Sequence, residues 1–208
     1  LHEQGVTDVR EALQLVPNAS VDAAGFFAAP RVRGFTLNNN NKSFEPPVGM
    51  VLDNIPHTRI PYFIAALFDI DRMEVLRGPQ GTLYGRNANA GAINFITKAP
   101  ADEFEVSGHA GYGNFESVAV DFGVTGPVTD WLSARFSALY EDKGGYVENL
   151  SNGKDLMGMK AEGARLALRT NAIDNVTVDL ISYVQRNETN GSIQQPVTAP
   201  QFPSTLGA

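Results

Sequence analysis

The 208-residue chain contains no cysteine, only three histidines and a single tryptophan. Without cysteine there can be no disulfide, no thiolate metal site and no cysteine nucleophile. The histidines at positions 2, 57 and 109 are far apart, with no HExxH and no histidine–carboxylate spacing, so no catalytic metal is expected. Long apolar runs are missing as well. The longest, residues 60–68, is bounded by Arg59 and Asp69 and falls far short of the roughly 20 residues a helix needs to cross a bilayer. Positive charge is scarce: 16 basic residues face 23 acidic ones, for a net charge of −7, and no basic patch is present to neutralise nucleic-acid phosphates. Catalytic signatures are lacking too. There is no GxSxG, GxxxxGK[ST] or GxGxxG, and Gly111-Tyr112-Gly113 reads as a turn. Asp69 and Asp71, two apart before a strand, read as a polar turn and not as a glycosidase pair. The reading is therefore a non-enzyme, with no catalytic residue, no metal and no cofactor nominated.

What the chain does contain falls into two halves of different periodicity. The first hundred residues read as a small α+β unit. Thr7 or Asp8 caps a helix over 9–15, with Val9, Leu13 and Val16 on one face and Pro17 ending it. A short strand is expected over 32–35, then a polar loop over 36–47. Another strand is expected over 48–52, with Asp53-Asn54 as a hairpin turn into Ile55-Pro56. From about Glu103 apolar and polar residues alternate strictly. Val118, Val120, Phe122 and Val124 oppose Ser117, Ala119, Asp121 and Gly123, and Leu132, Ala134, Phe136, Ala138 and Tyr140 oppose Ser133, Arg135, Ser137 and Glu141. The same alternation recurs over 164–169 and 176–180. With 104–112 this makes five candidate strands of roughly ten residues, the length a tilted strand needs to cross a bilayer.

Alternation alone fits a soluble sandwich and a membrane barrel equally. Two features favour the barrel. The polar faces are rich in Ser, Gly, Ala, Asp and Arg, which suits a crowded, hydrated lumen. Beyond the first hairpin, short connections (126–130, 171–175) alternate with long ones (142–162, and from Arg186 onward), as when one barrel end faces the periplasm and the other the outside.

The most specific string is 74–100, EVLRGPQGTLYGRNANAGAINFITKAP. It opens as a strand, breaks at Arg77-Gly78-Pro79-Gln80-Gly81, turns again at Tyr84-Gly85-Arg86-Asn87 and closes as an apolar strand over 92–97. It closely resembles the end of the plug domain of TonB-dependent outer-membrane receptors. The opening GVTDVREALQLVPNASV resembles the plug's first helix, Arg31-Val32-Arg33-Gly34-Phe35 its RxRG strand, and VGMVLDNIP its VGxYxDGxP hairpin. Met50 stands where an aromatic is usual, Asn54 and Ala90 where glycine is frequent.

The resemblance implies a plug over 1–100 and the first strands and loops of a transmembrane β-barrel over 101–208. In this family the plug sits inside a barrel of about 22 strands. It implies the bacterial outer membrane as location and import of a scarce ligand, most often a ferric siderophore, with cobalamin or oligosaccharides as alternatives. The protein TonB is the implied partner, acting through a segment expected to precede Leu1. Arg33 and Arg77 match arginines similar to those that latch the plug to carboxylates of the barrel wall. Ligand contacts are expected on the plug's outward loops, at Asn38, Asn39, Asn40, Asn41, Lys42 and Phe44 and at His57, Arg59, Tyr62 and Phe63. Five strands cannot close a barrel, so the chain is expected to be part of a longer polypeptide. The competing expectation is a soluble carbohydrate-binding protein, in which 103–187 would form a closed sandwich with a dry core.

Overall fold

A computed structural model describes residues 13–24, 27–32, 34, 47–57, 67–81, 88–150, 152–173 and 175–191. They form two main sheets, one before Lys98 and one after it. The N-terminal part holds a hairpin of β1 (Ala19–Ala24) and β2 (Phe27–Val32). Beside it lies a mixed sheet of β3 (Val48–Leu52), β4 (Ile55–His57), β5 (Ile70–Arg77) and β6 (Gly91–Thr97), in the order β4-β3-β6-β5. Strand β6 is central, parallel to β3 and antiparallel to β5. That position explains its continuous apolar run, because a strand covered on both faces has no reason to alternate. Ile93 and Phe95 join Leu13, Val32, Val48, Met50 and Ala90 in one core. The turn between β3 and β4 is Asp53-Asn54, both with positive φ (48° and 65°), the conformation a two-residue hairpin needs. Gly91 has φ 155°, and a Cβ there would stand 2.5 Å from the Leu76 carbonyl oxygen, so only glycine fits.

The second sheet is an antiparallel meander of β7 (Glu105–Gly113), β8 (Ser117–Thr129), β9 (Leu132–Lys143), β12 (Met159–Ile173) and β13 (Val176–Thr189), in the order β13-β12-β9-β8-β7. A small hairpin, β10 (Val147–Asn149) with β11 (Lys154–Leu156), rides on the long connection between β9 and β12. Register stacks the apolar residues across strands: Val124 faces Phe136, which faces Leu166, and Leu168 faces both Ala134 and Leu180. Among the described residues no second sheet covers this face; Phe136, Leu166 and Leu180 are 39%, 45% and 63% exposed. Trp131 and Phe104 lie toward the short-turn end, Tyr112 and Tyr140 toward the long-connection end, the two borders at which barrel aromatics gather. The opposite face packs against the first sheet and carries Thr125, Ser133, Arg135, Ser137 and Arg165, all buried.

Several expectations need adjustment. Of the expected helix, Leu13 and Gln14 are helical and the rest up to residue 12 lies outside the described residues. Of the strand expected over 32–35, Val32 belongs to β2, Gly34 is in a turn, and residues 33 and 35 lie outside the described residues; β2 pairs with β1, where ASVDAA has a single β-branched residue and gives no periodic signal. Residues 126–129, read as a connection, belong to β8. Pro127 is accommodated by an irregularity in register between Pro127 and Thr129, where a missing N–H is tolerated. Strands β12 and β13 run well beyond their apolar stretches, into the Lys160, Glu162, Arg186 and Glu188 checkerboard, where Lys160 pairs with Glu162 at 2.8 Å.

Candidate functional site

The seam between the sheets is organised by one side chain. Asp69 sits in a bend (φ 57°) just before β5, fixed by the Lys98 N–H donating to its carbonyl at 2.9 Å. Its carboxylate, 3% exposed, points away from its own sheet and into the wall. Arg135 of β9 donates from Nε at 2.9 and 3.0 Å to the two oxygens, and from Nη2 as well. Ser137 Oγ donates at 2.9 Å and Arg165 Nη1 of β12 at 2.8 Å, the latter also reaching the Lys98 carbonyl at 3.1 Å. The fork of Arg135 against one carboxylate is the geometry in which guanidinium pairs are strongest.

Strand alternation puts these donors together. Arg135 and Ser137 are two apart on one face of β9, and Ser137 lies opposite Arg165. Two glycines make the space. A Cβ at Gly123 would stand 2.8 Å from Arg135 Nη2, and one at Gly163 would stand 2.9 Å from Phe68 Cε1. The wall is thus recessed where Arg135 crosses toward Asp69 and where the Phe68 ring seats.

The linker beyond β6 is tied to the same wall. Thr125 Oγ1 accepts from the Ala101 N–H at 2.9 Å and donates to the Ala134 carbonyl at 3.0 Å; Ser133 Oγ donates to Asp102 at 2.6 Å. Within the first sheet, Thr97 donates to both oxygens of Asp53, at 2.9 Å from N and 2.8 Å from Oγ1.

Beside the ion cluster a cavity of about 350 Å³ separates the sheets, with Met50, Leu52, Phe68 and Ile70 on one side and Arg165 and Tyr183 on the other. His57, at the end of β4, meets Tyr183 Oη through Nε2 at 3.2 Å. Burial at this seam holds the imidazole below its ordinary value of 6.5, favouring the neutral ring.

Of the residues nominated from sequence, His57 is therefore at the seam, level with Arg165 through the Tyr183 register. Arg77 is exposed at the end of β5, outside the cluster. Arg33, Asn38, Asn39, Asn40, Asn41, Lys42, Phe44, Arg59, Tyr62 and Phe63 lie outside the described residues. Sequence reasoning missed Asp69, taken for a polar turn, and gave Arg135 and Arg165 no role beyond a polar face. An available signal was the arginine between Ser133 and Ser137 at an inward register, one strand from a glycine.

The TonB-dependent Receptor Plug Domain model matches residues 1–92. The chain is 29% identical to the pesticin receptor of Yersinia pestis over 173 residues, covering 81% of this chain and 25% of that protein. It is 28% identical to the ferrioxamine B receptor of Salmonella typhimurium strain SL1344 over 202 residues, 91% of this chain and 26% of the other. Its fold superposes on the crystal structure of the ferric yersiniabactin uptake receptor from Yersinia pestis with a TM-score of 0.75 at 28% identity, covering 90% of this chain and 30% of that one. The chain spans about a quarter of the length of these curated relatives.

Proposed function

From the premise that this chain belongs to the TonB-dependent receptor family, we propose that it forms the plug and the first wall strands of an outer-membrane importer of ferric siderophores. Residues 1–100 would be the plug and 101–208 the opening of the barrel. The relatives' names, which specify ferrioxamine B and ferric yersiniabactin among their ligands, support that ligand class. TonB would act through a segment preceding Leu1 and pull the plug away from the wall. In this reading the chain is a transporter and not an enzyme.

The observation that carries the reading is the sidedness of the five-stranded sheet. Its apolar face is bare, while its polar face holds the first sheet through a buried carboxylate gripped by two arginines. A lipid-facing wall with a hydrated lumen needs that sidedness, and a movable plug needs polar contacts that exchange for water. Arg33 and Arg77 would supply a second latch toward carboxylates of the wall. Asn38, Asn39, Asn40, Asn41, Lys42, Phe44, His57, Arg59, Tyr62 and Phe63 would contact the ligand.

The test is uptake of radiolabelled iron by a deletion strain carrying the full receptor, offered a panel of ferric siderophores. Rescue on at least one, dependent on TonB, is expected. Failure on every ferric complex, with uptake of cobalamin or an oligosaccharide instead, would replace the ligand class.

A further inference from the structure

We infer that Arg135 and Arg165 form an exchangeable anion site on the lumen wall. Asp69 fills it while the plug is seated, and it opens to a carboxylate-bearing ligand when the plug withdraws. The inference rests on the proposed plug-and-wall reading and adds a binding site to it.

The charge count is the first reason. One carboxylate meets two guanidiniums, and the three side chains are only 3–4% exposed, so the hydrogen-bonded cluster carries one positive charge in excess. An excess charge held out of water is costly, and it draws in any anion that can reach it.

Geometry is the second. Arg135 and Arg165 belong to adjacent, continuously paired strands, with Ser137 between them, so their relative placement survives departure of Asp69. Asp69 is on a bend of the other sheet and leaves with it. The wall then presents an Arg135 fork, a second guanidinium and a hydroxyl, a constellation shaped for a carboxylate or a similar pair of anionic oxygens.

Unused capacity at the site is the third. Arg165 Nε is buried and has no hydrogen-bond partner among the described residues, and Arg165 lines the 350 Å³ cavity, which is large enough for a small carboxylate. The carboxylate of Asp53 lines the same cavity but is turned to Thr97, which donates to both of its oxygens, and makes no hydrogen bond to Arg165. A siderophore with carboxylate or catecholate oxygens would thus meet a cationic step midway along the wall as the plug moves.

Formate is the probe, and the full-length receptor in detergent is the sample. In Asp69→Ala, where the site stands open, 13C-formate is expected to show a saturable rise in NMR linewidth relative to a receptor-free control at equal chloride and ionic strength. The rise should vanish when Arg135→Gln and Arg165→Gln are added. No response in Asp69→Ala, or an equal response in the triple variant, overturns the site. If Asp69→Ala does not assemble, the wild-type receptor decides. There formate should compete with Asp69 and lower the urea midpoint of plug release, and Arg135→Gln with Arg165→Gln should abolish that shift; an unchanged wild-type midpoint overturns the site. Neither readout involves uptake, so failure of the siderophore panel and failure of the anion site are separate results.

Discussion

The Phe68 ring rests on Gly163, in a recess of the wall that any side chain at position 163 would fill: a Cβ there would stand 2.9 Å from Phe68 Cε1 and 3.1 Å from Cζ. Phe68 immediately precedes Asp69, so this contact sets the height at which the carboxylate meets its arginines. Gly163→Val is expected to weaken plug seating by about 1–3 kcal/mol through overpacking. The measurement is the urea midpoint of plug release in the full receptor. Phe68→Leu, added to Gly163→Val, should recover part of the loss; strictly additive effects would show that the two residues do not share a recess.

Asp69→Asn keeps the shape of the side chain and removes its charge, leaving two buried guanidiniums facing an amide. Loss of one partner of a buried pair costs about 3–5 kcal/mol. The variant should therefore admit large antibiotics that an intact receptor excludes. Arg135→Lys keeps the charge but loses the fork, and its leak should fall between those of wild type and Asp69→Asn. Wild-type permeability in Asp69→Asn would remove the latch role.

The pH response of the seam follows from His57. Its folded value lies below 6.5 because burial disfavours the charged ring, so between the folded value and 6.5 the released chain binds more protons than the seated one. The contribution of His57 to seating is complete above pH 6.5 and is lost as pH falls from there through the lowered value. Plug-release midpoints measured on either side of that window should drop on the acid side, and His57→Gln should remove the part of the slope due to this residue. An identical slope in wild type and His57→Gln would place the pH dependence elsewhere.

The parts of this fold legible in sequence were those governed by local rules. Asp53-Asn54 was readable because only a few residue types accept two successive positive φ values. The wall strands were readable because period-two alternation persists wherever one face is apolar and the other wet. What stayed hidden depends on which parts of the chain meet in space. Asp69 and Arg165 are 96 residues apart, and nothing local to either identifies the other as its partner. The resemblance directed attention to arginines on the plug side, Arg33 and Arg77. In the described seam the polarity is reversed, with the plug supplying the carboxylate and the wall the arginines. The ends of β12 and β13 were hidden for another reason. Beyond the apolar band the outward face turns to Lys160, Glu162, Arg186 and Glu188, and alternation in hydropathy stops although the strands continue.

That same transition supplies a test of where the lipid lies. Leu166 sits on the bare face of β12, opposite Phe136 on one side and Ser182 on the other, about midway along the strand. An arginine near the bilayer midplane of a barrel costs about 2–4 kcal/mol, falling to about 0–1 kcal/mol near either interface. Leu166→Arg should therefore lower the fraction of full receptor that folds into lipid vesicles, read from the heat-modifiable shift in gel mobility. Tyr112→Arg, at the long-connection border of β7, should leave it nearly unchanged. Position along the strand then decides the outcome, because both side chains are exposed and both substitutions add the same charge. If the two variants fold equally well, the apolar face does not meet hydrocarbon, and the sheet must be covered by protein.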